Sequence, residues 1–164
     1  MKYKKGDFVV YPCHGVGQFI GQETSTIDGE TVTFISVKFE KDRMVLKIPE
    51  KKALTAGLRP VLPKKEMKEV LDSLKNKPKT KRMMWSRRAQ EYETKINSGD
   101  PYSVAEVVSE LHKDPKKAEQ SYSERQIYQS ALERLGREFA AIEKIEDQAA
   151  YEEIENKIIN IRYS

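Results

Sequence analysis

One cysteine, two histidines and one tryptophan occur in 164 residues, and each scarcity excludes something. With Cys13 alone, no intrachain disulfide can form, which agrees with a reducing compartment. Nucleophilic or metal-assisted catalysis needs a nucleophile with a base, or a cluster of ligands. His14 and His112 lie far apart in the chain, and Cys13-His14 without further ligands does not make a zinc site, so a structural turn is the better reading of that pair. Gly15-Val-Gly17 is too short for a nucleotide-binding fingerprint and runs on into a strand pattern. Glu143, Glu146 and Asp147 lack the spacing of a metal loop. These absences predict a protein that is not an enzyme and carries no cofactor. No apolar run approaches the roughly 18 residues of a membrane span, and the start, MKYKKGDFVVYP, lacks the apolar stretch of a signal peptide. A soluble, cytoplasmic protein without membrane contact is expected.

What the chain has is charge, unevenly placed. Hydrophobic residues make up 38% and charged residues 34%, a polar balance that still leaves Val, Ile, Leu and aromatics spaced for burial. Residues 1–82 hold 18 Lys/Arg against 10 Asp/Glu, whereas residues 83–164 hold 12 against 16. Seven bases and no acid fall between Lys75 and Arg88, while Glu138 to Glu155 carries seven acids and only Lys144. Clustered cations gain from releasing counterions off phosphate, so the middle of the chain suits a polyanion. A solvated Lys/Pro linker would have the same composition.

Periodicity divides the chain. Up to Pro49 the pattern is that of strands: Ile35, Val37 and Phe39 alternate with Ser36 and Lys38, and Met44, Leu46 and Ile48 oppose Arg43, Val45 and Lys47. Asp28-Gly29 between extended segments signals a hairpin. Four or five short strands with no helical period predict a small SH3-like or Tudor-like barrel over residues 1–58, with Phe34 and Phe39 buried. After Pro60 and Pro63 the period becomes helical. Met67, Val70, Leu71 and Leu74 form one apolar stripe, and Trp85, Ala89, Tyr92 and Ile96 a second. Asp100-Pro101 caps a third helix, Ser123 to Gln126 reads as a capping box for a fourth, and Tyr151, Ile154, Ile158 and Ile161 mark a last one. Residues 59–164 are thus expected to form an all-helical bundle of about five helices, giving a two-domain α+β protein. The last stripe either closes the bundle or pairs with a second copy, and closure in a monomer is the expectation.

Two segments carry functional information. Trp85-Ser-Arg-Arg88 follows the lysine run. A lone tryptophan on a helical stripe is often a core residue, yet a planar ring beside two arginines also suits stacking at an unstacked base with phosphates held nearby. On an ideal helix Arg88 lies about 60° from Trp85 while Arg87 points away. Arg125 falls in the first turn behind the Ser123 cap, where free N–H groups favour an anion; an ordinary surface arginine fits the sequence equally.

The succession GDFVVYPCHGVGQ, a DGE turn, VLKIP, WSRR, SGDPYSVAEVVSEL and SYSERQIYQSALERL resembles the CarD family of bacterial transcription regulators over nearly the whole chain. The resemblance implies an N-terminal Tudor-like domain, shared with the transcription-repair coupling factor, that binds a lobe of the RNA polymerase β subunit. It also implies a helical domain that touches promoter DNA, without sequence readout, at the upstream edge of the transcription bubble. There a tryptophan wedges into the minor groove and hinders closing. On this chain the wedge matches Trp85, its basic neighbours match Arg87 and Arg88, and a further DNA contact matches Arg125. The polymerase-facing positions match Val45, Lys47 and Ile48, whose strand could also pair its backbone with a polymerase strand. Ser25 and Gln90 stand where some members carry an arginine and a lysine, which removes a charge from each contact. The alternative is an RNA-binding module in which barrel and basic stretch grip structured RNA.

Overall fold

The computed structural model describes residues 3–41, 43–76, 82–113 and 120–162. It divides into two compact units, one ending at Val61 and the other beginning at Leu62.

The first unit is an antiparallel sheet of β1 (Phe8–Tyr11), β2 (Gly15–Ile27), β3 (Glu30–Phe39), β4 (Met44–Pro49) and β5 (Arg59–Pro60), in the order β4-β3-β2-β1-β5. Asp28 and Gly29 both adopt positive φ, 49° and 80°, which turns β2 tightly into β3. Alternation then fixes the faces: Ile35, Val37 and Phe39 enter the core with Val9, Phe19 and Ile48. The described pairings leave β4 and β5 as the two ends of the order. Two features depart from the sequence reading. Pro49 ends β4 but also opens a short helix, α1 (Glu50–Ala56), which Gly57 stops at φ 92°; its Ala53 is buried under the sheet. Arg59 and Pro60 pair with Val10 and Val9, so the sheet unit runs on past residue 58.

The second unit holds α2 (Lys64–Asp72), a 3-10 turn (Ser73–Lys75), α3 (Trp85–Ile96), α4 (Pro101–Leu111), α5 (Tyr122–Glu143) and α6 (Asp147–Arg162). Met67, Val70, Leu74, Leu111, Leu135 and Ile154 are among the residues of its single core. Asp100 caps α4 as its sequence implies, accepting from Tyr102 N at 3.1 Å with Pro101 at the first helical position. The cap of α5 is Ser121 rather than Ser123, its hydroxyl accepting from Glu124 N. Both serines are followed three residues on by a suitable partner, and only backbone geometry separates them. Tyr151, Ile154 and Ile158 are buried in this unit's own core, whereas Ile161 is exposed and does not complete the stripe. Gly136 lets α6 approach α5, since a Cβ there would collide with the Tyr151 ring.

Long-range polar ties close the unit. Glu138, itself buried, accepts from Leu62 N at 2.9 Å. Lys157 meets Asp72 at 2.8 Å. Arg162 near the end of α6 donates to Ser109 O at 2.8 Å and to Leu74 O at 2.9 Å, and also to the Ser109 hydroxyl, which donates onward to Asn76 O at 2.7 Å.

Candidate nucleic-acid interface

The segment that enters α3 builds the site. Lys77, Lys79 and Lys81 of the basic run lie outside the described residues; Arg82 is exposed. Met84 is the N-cap, in an extended conformation, and offers no side-chain acceptor to the first turn. Its carbonyl accepts from Arg87 N and Arg88 N, both at 3.1 Å. The N–H groups of Trp85 and Ser86 are left without a side-chain cap, beside the exposed Arg87, and that end of the helix carries partial positive charge. The opposite end is held firmly. Arg134 donates to Ile96 O at 3.5 Å and to Asn97 Oδ1 at 3.3 Å, and Lys95 pairs with Glu106 on α4 at 2.8 Å.

Trp85 is neither a fully enclosed core residue nor a free surface ring. It is half-buried, packed against the helical core, with its ring 6.2 Å from that of Tyr92. Arg88 covers it: the guanidinium lies 5.3 Å from the Trp85 ring centroid and 5.6 Å from that of Tyr92, and it donates to Tyr92 Oη at 2.8 Å. Such a cation over two π faces is worth about 0.5–1 kcal/mol per ring at a partly exposed site. Burial raises the Tyr92 pKa above its usual value, and the Arg88 hydrogen bond opposes that rise. Arg88 is thus a neighbour of Trp85, as helical geometry implies, but it also braces the ring. Arg87 and Gln90 are exposed on the same helix, and Gln90 O accepts from Thr94 Oγ1 at 2.9 Å.

Arg125 is exposed on α5, two positions deeper than expected because the cap is Ser121 and not Ser123; its own N–H donates to Ser121 O at 3.0 Å and is not free for an anion. No described hydrogen bond or ring contact joins Arg125 to Trp85. The sequence reading missed two exposed apolar side chains here: Met84, 78% exposed beside Trp85, and Tyr122, 78% exposed in the first turn of α5. It also missed Tyr92 as the acceptor for Arg88, although their spacing of four residues was available as a signal.

In the sheet unit the register sets Ser25, Val45 and Lys47 on the outer face, through the pairs Ser25 with Val32, Val45 with Lys38 and Lys47 with Ser36. Lys47 reaches across β3 to Glu23, 2.7 Å away, with both side chains largely exposed. Ile48 is turned inward and only 5% exposed, so its side chain is a core group and its backbone alone is left for a partner. Phe39 is buried as expected, but Phe34 pairs with Glu23 and Pro49 on the outer face and is half-buried, because alternation from Ile35 carries it there.

Among the described residues no group of three or more His, Cys, Asp or Glu side chains gathers to hold a metal ion, and no helix is long and apolar enough to cross a membrane.

Comparison with known proteins gives consistent matches. The family profile "CarD, C-terminal domain" matches residues 69–155, and that for the "CarD-like/TRCF RID domain" matches residues 3–62. The chain is 26% identical over 146 residues to YdeB of Bacillus subtilis (strain 168), whose name places it provisionally among transcription factors; the match covers 89% of this chain and 95% of that protein. The solution NMR structure of the 72-residue N-terminal domain of Myxococcus xanthus CarD is 34% identical, with 36% of this chain and 79% of that one covered and a TM-score of 0.31.

Proposed function

The chain belongs to the CarD family, and from that premise we propose that it regulates transcription by docking on RNA polymerase and gripping promoter DNA at the upstream edge of the bubble. The sheet unit is the polymerase-facing part. It binds the β-subunit lobe through the outer face carrying Ser25, Val45 and Lys47 and through the backbone of β4 around Ile48, an end strand with one paired side. The helical unit is the DNA-facing part, through Trp85 with Arg87, Arg88 and Gln90 and through Arg125 on α5. The protein acts in the cytoplasm as a monomer. One observation carries this reading: the uncapped, basic mouth of α3 with Trp85 braced under Arg88.

The mechanism moves no bond. Docking on polymerase raises the local concentration of the helical unit at the promoter, so no sequence readout is required. The closed–open equilibrium then shifts only by the differential affinity of the helical unit for opened DNA. A preference of about 1.4 kcal/mol changes it about tenfold. Ser25 and Gln90, uncharged, leave fewer phosphate and polymerase charge contacts, and three or so phosphate contacts give a log–log salt slope of about −3.

The test is the open-complex population, read from a fluorescent base in the bubble with matching polymerase at one salt concentration. Wild type should raise it and Trp85→Ala should not; if neither changes the signal, the reading fails. The RNA-binding alternative needs aromatics displayed on the sheet; Phe39 is enclosed in the core, while Phe34 lies half-buried on the outer face, so binding of a structured RNA by the full chain is the measurement that separates the two readings.

A further inference from the structure

Resting on the reading of the α3 mouth as the DNA-facing element, we propose that Met84 is a second inserting side chain, entering the opened base step beside Trp85. The two neighbours differ sharply in freedom. Trp85 has one flank against the core and another beneath the Arg88 guanidinium, so much of its apolar surface is already spent inside the protein. Met84 is 78% exposed. Its backbone is nonetheless fixed, because its carbonyl closes the first turn of α3 by accepting from Arg87 N and Arg88 N. A flexible apolar group on a rigid base at a helix mouth has the form of a wedge, and the unbranched thioether adapts to an irregular gap between bases.

Charge decides the occupant. Residues 75–90 contain no acid, and Arg82 and Arg87 are exposed on either side of Met84. An apolar tip rimmed by cations suits a partner that presents phosphates around an apolar slot, and partly unstacked DNA is such a partner. Trp85 then serves as the anchored shoulder and Met84 as the tip, each covering one face of the unstacked step.

The experiment uses the full chain and two labelled duplexes of one sequence, one fully paired and one opened by a short mismatch, and reads the ratio of affinities by fluorescence anisotropy. Met84→Ala and Met84→Gln should lower the preference for opened DNA about fivefold, the worth of partly burying a methionine side chain, while Met84→Leu keeps it. Circular dichroism should be unchanged, since the side chain packs on little. If Met84→Ala and Met84→Gln retain the wild-type ratio while Trp85→Ala loses it, Met84 is not inserted and the parent reading survives. If wild type itself binds both duplexes equally, both are overturned.

Discussion

Arg88 and Tyr92 are joined one helical turn apart, guanidinium to hydroxyl at 2.8 Å, with Trp85 lying under the same guanidinium. Three side chains on one face of α3 are thereby locked as a unit, and the orientation of the tryptophan depends on an arginine that also carries charge to the surface. Removing Arg88 should free the ring. Arg88→Ala is expected to red-shift and depolarise Trp85 fluorescence and to cost about 1 kcal/mol of stability. Arg88→Lys should resemble alanine in fluorescence, because an ammonium cannot lie flat over two rings while donating to Tyr92. Unchanged emission in both variants would count against the bracing role.

Lys47 and Glu23 form an ion pair whose partners are both mostly exposed, so its contribution to folding is small, under about 1 kcal/mol. Lys47→Glu should therefore leave the thermal midpoint nearly unmoved while weakening binding to the polymerase β lobe. Affinity equal to wild type in a direct titration removes Lys47 from that surface.

Gly136→Ala sets two effects of opposite sign against each other. In a helix interior alanine is favoured over glycine by about 1 kcal/mol. The added methyl, however, would collide with the Tyr151 ring, and overpacking of this kind costs about 1–3 kcal/mol. The collision should win, giving a net loss that lowers the thermal midpoint by several degrees. A midpoint at or above wild type would mean that α6 shifts freely on α5.

Alkali should destabilise the protein. Burial raises the pKa values of Tyr92 and Tyr151, more than their arginine neighbours lower them. The unfolded chain then loses these protons first, near the ordinary tyrosine value of about 10. Stability from this source is complete below that pH and falls as pH rises through the folded-state values. Denaturant unfolding between pH 8 and 11 should show the decline, and Tyr92→Phe should flatten part of it. A stability curve level across that range excludes the effect.

Local rules made much of this molecule legible. Alternation marked which sides of β3 and β4 face inward, Asp28-Gly29 marked the hairpin, and Asp100-Pro101 marked the start of α4. Alternation already sets Ile48 opposite Lys47, and its burial follows that pattern; it is the resemblance, which reads positions and not faces, that groups the two as one surface. What stayed hidden depended on geometry that short windows do not contain. Two serines compete for the cap of α5, and Ser121 takes it. A proline that stops a strand can also start a helix, as Pro49 does. The exposure of Met84 and the doubled role of Arg88 follow from how α3 seats on the bundle, which the apolar stripe records only as a direction.

The grip of Arg162 on Leu74 and Ser109 joins the last described residue to the segment from which the basic stretch departs. During synthesis the ribosome releases the chain from its N-terminal end, so Leu74 O and Ser109 O gain the Arg162 donors only once α6 has emerged. The sheet unit, complete by Val61, can form its own hydrogen bonds long before then. A prematurely ended chain would consequently expose a finished sheet unit attached to an unclosed bundle. On the proposed division of labour, that fragment would still compete for polymerase while lacking a formed grip on DNA, making it an inhibitor of the intact protein rather than a silent loss.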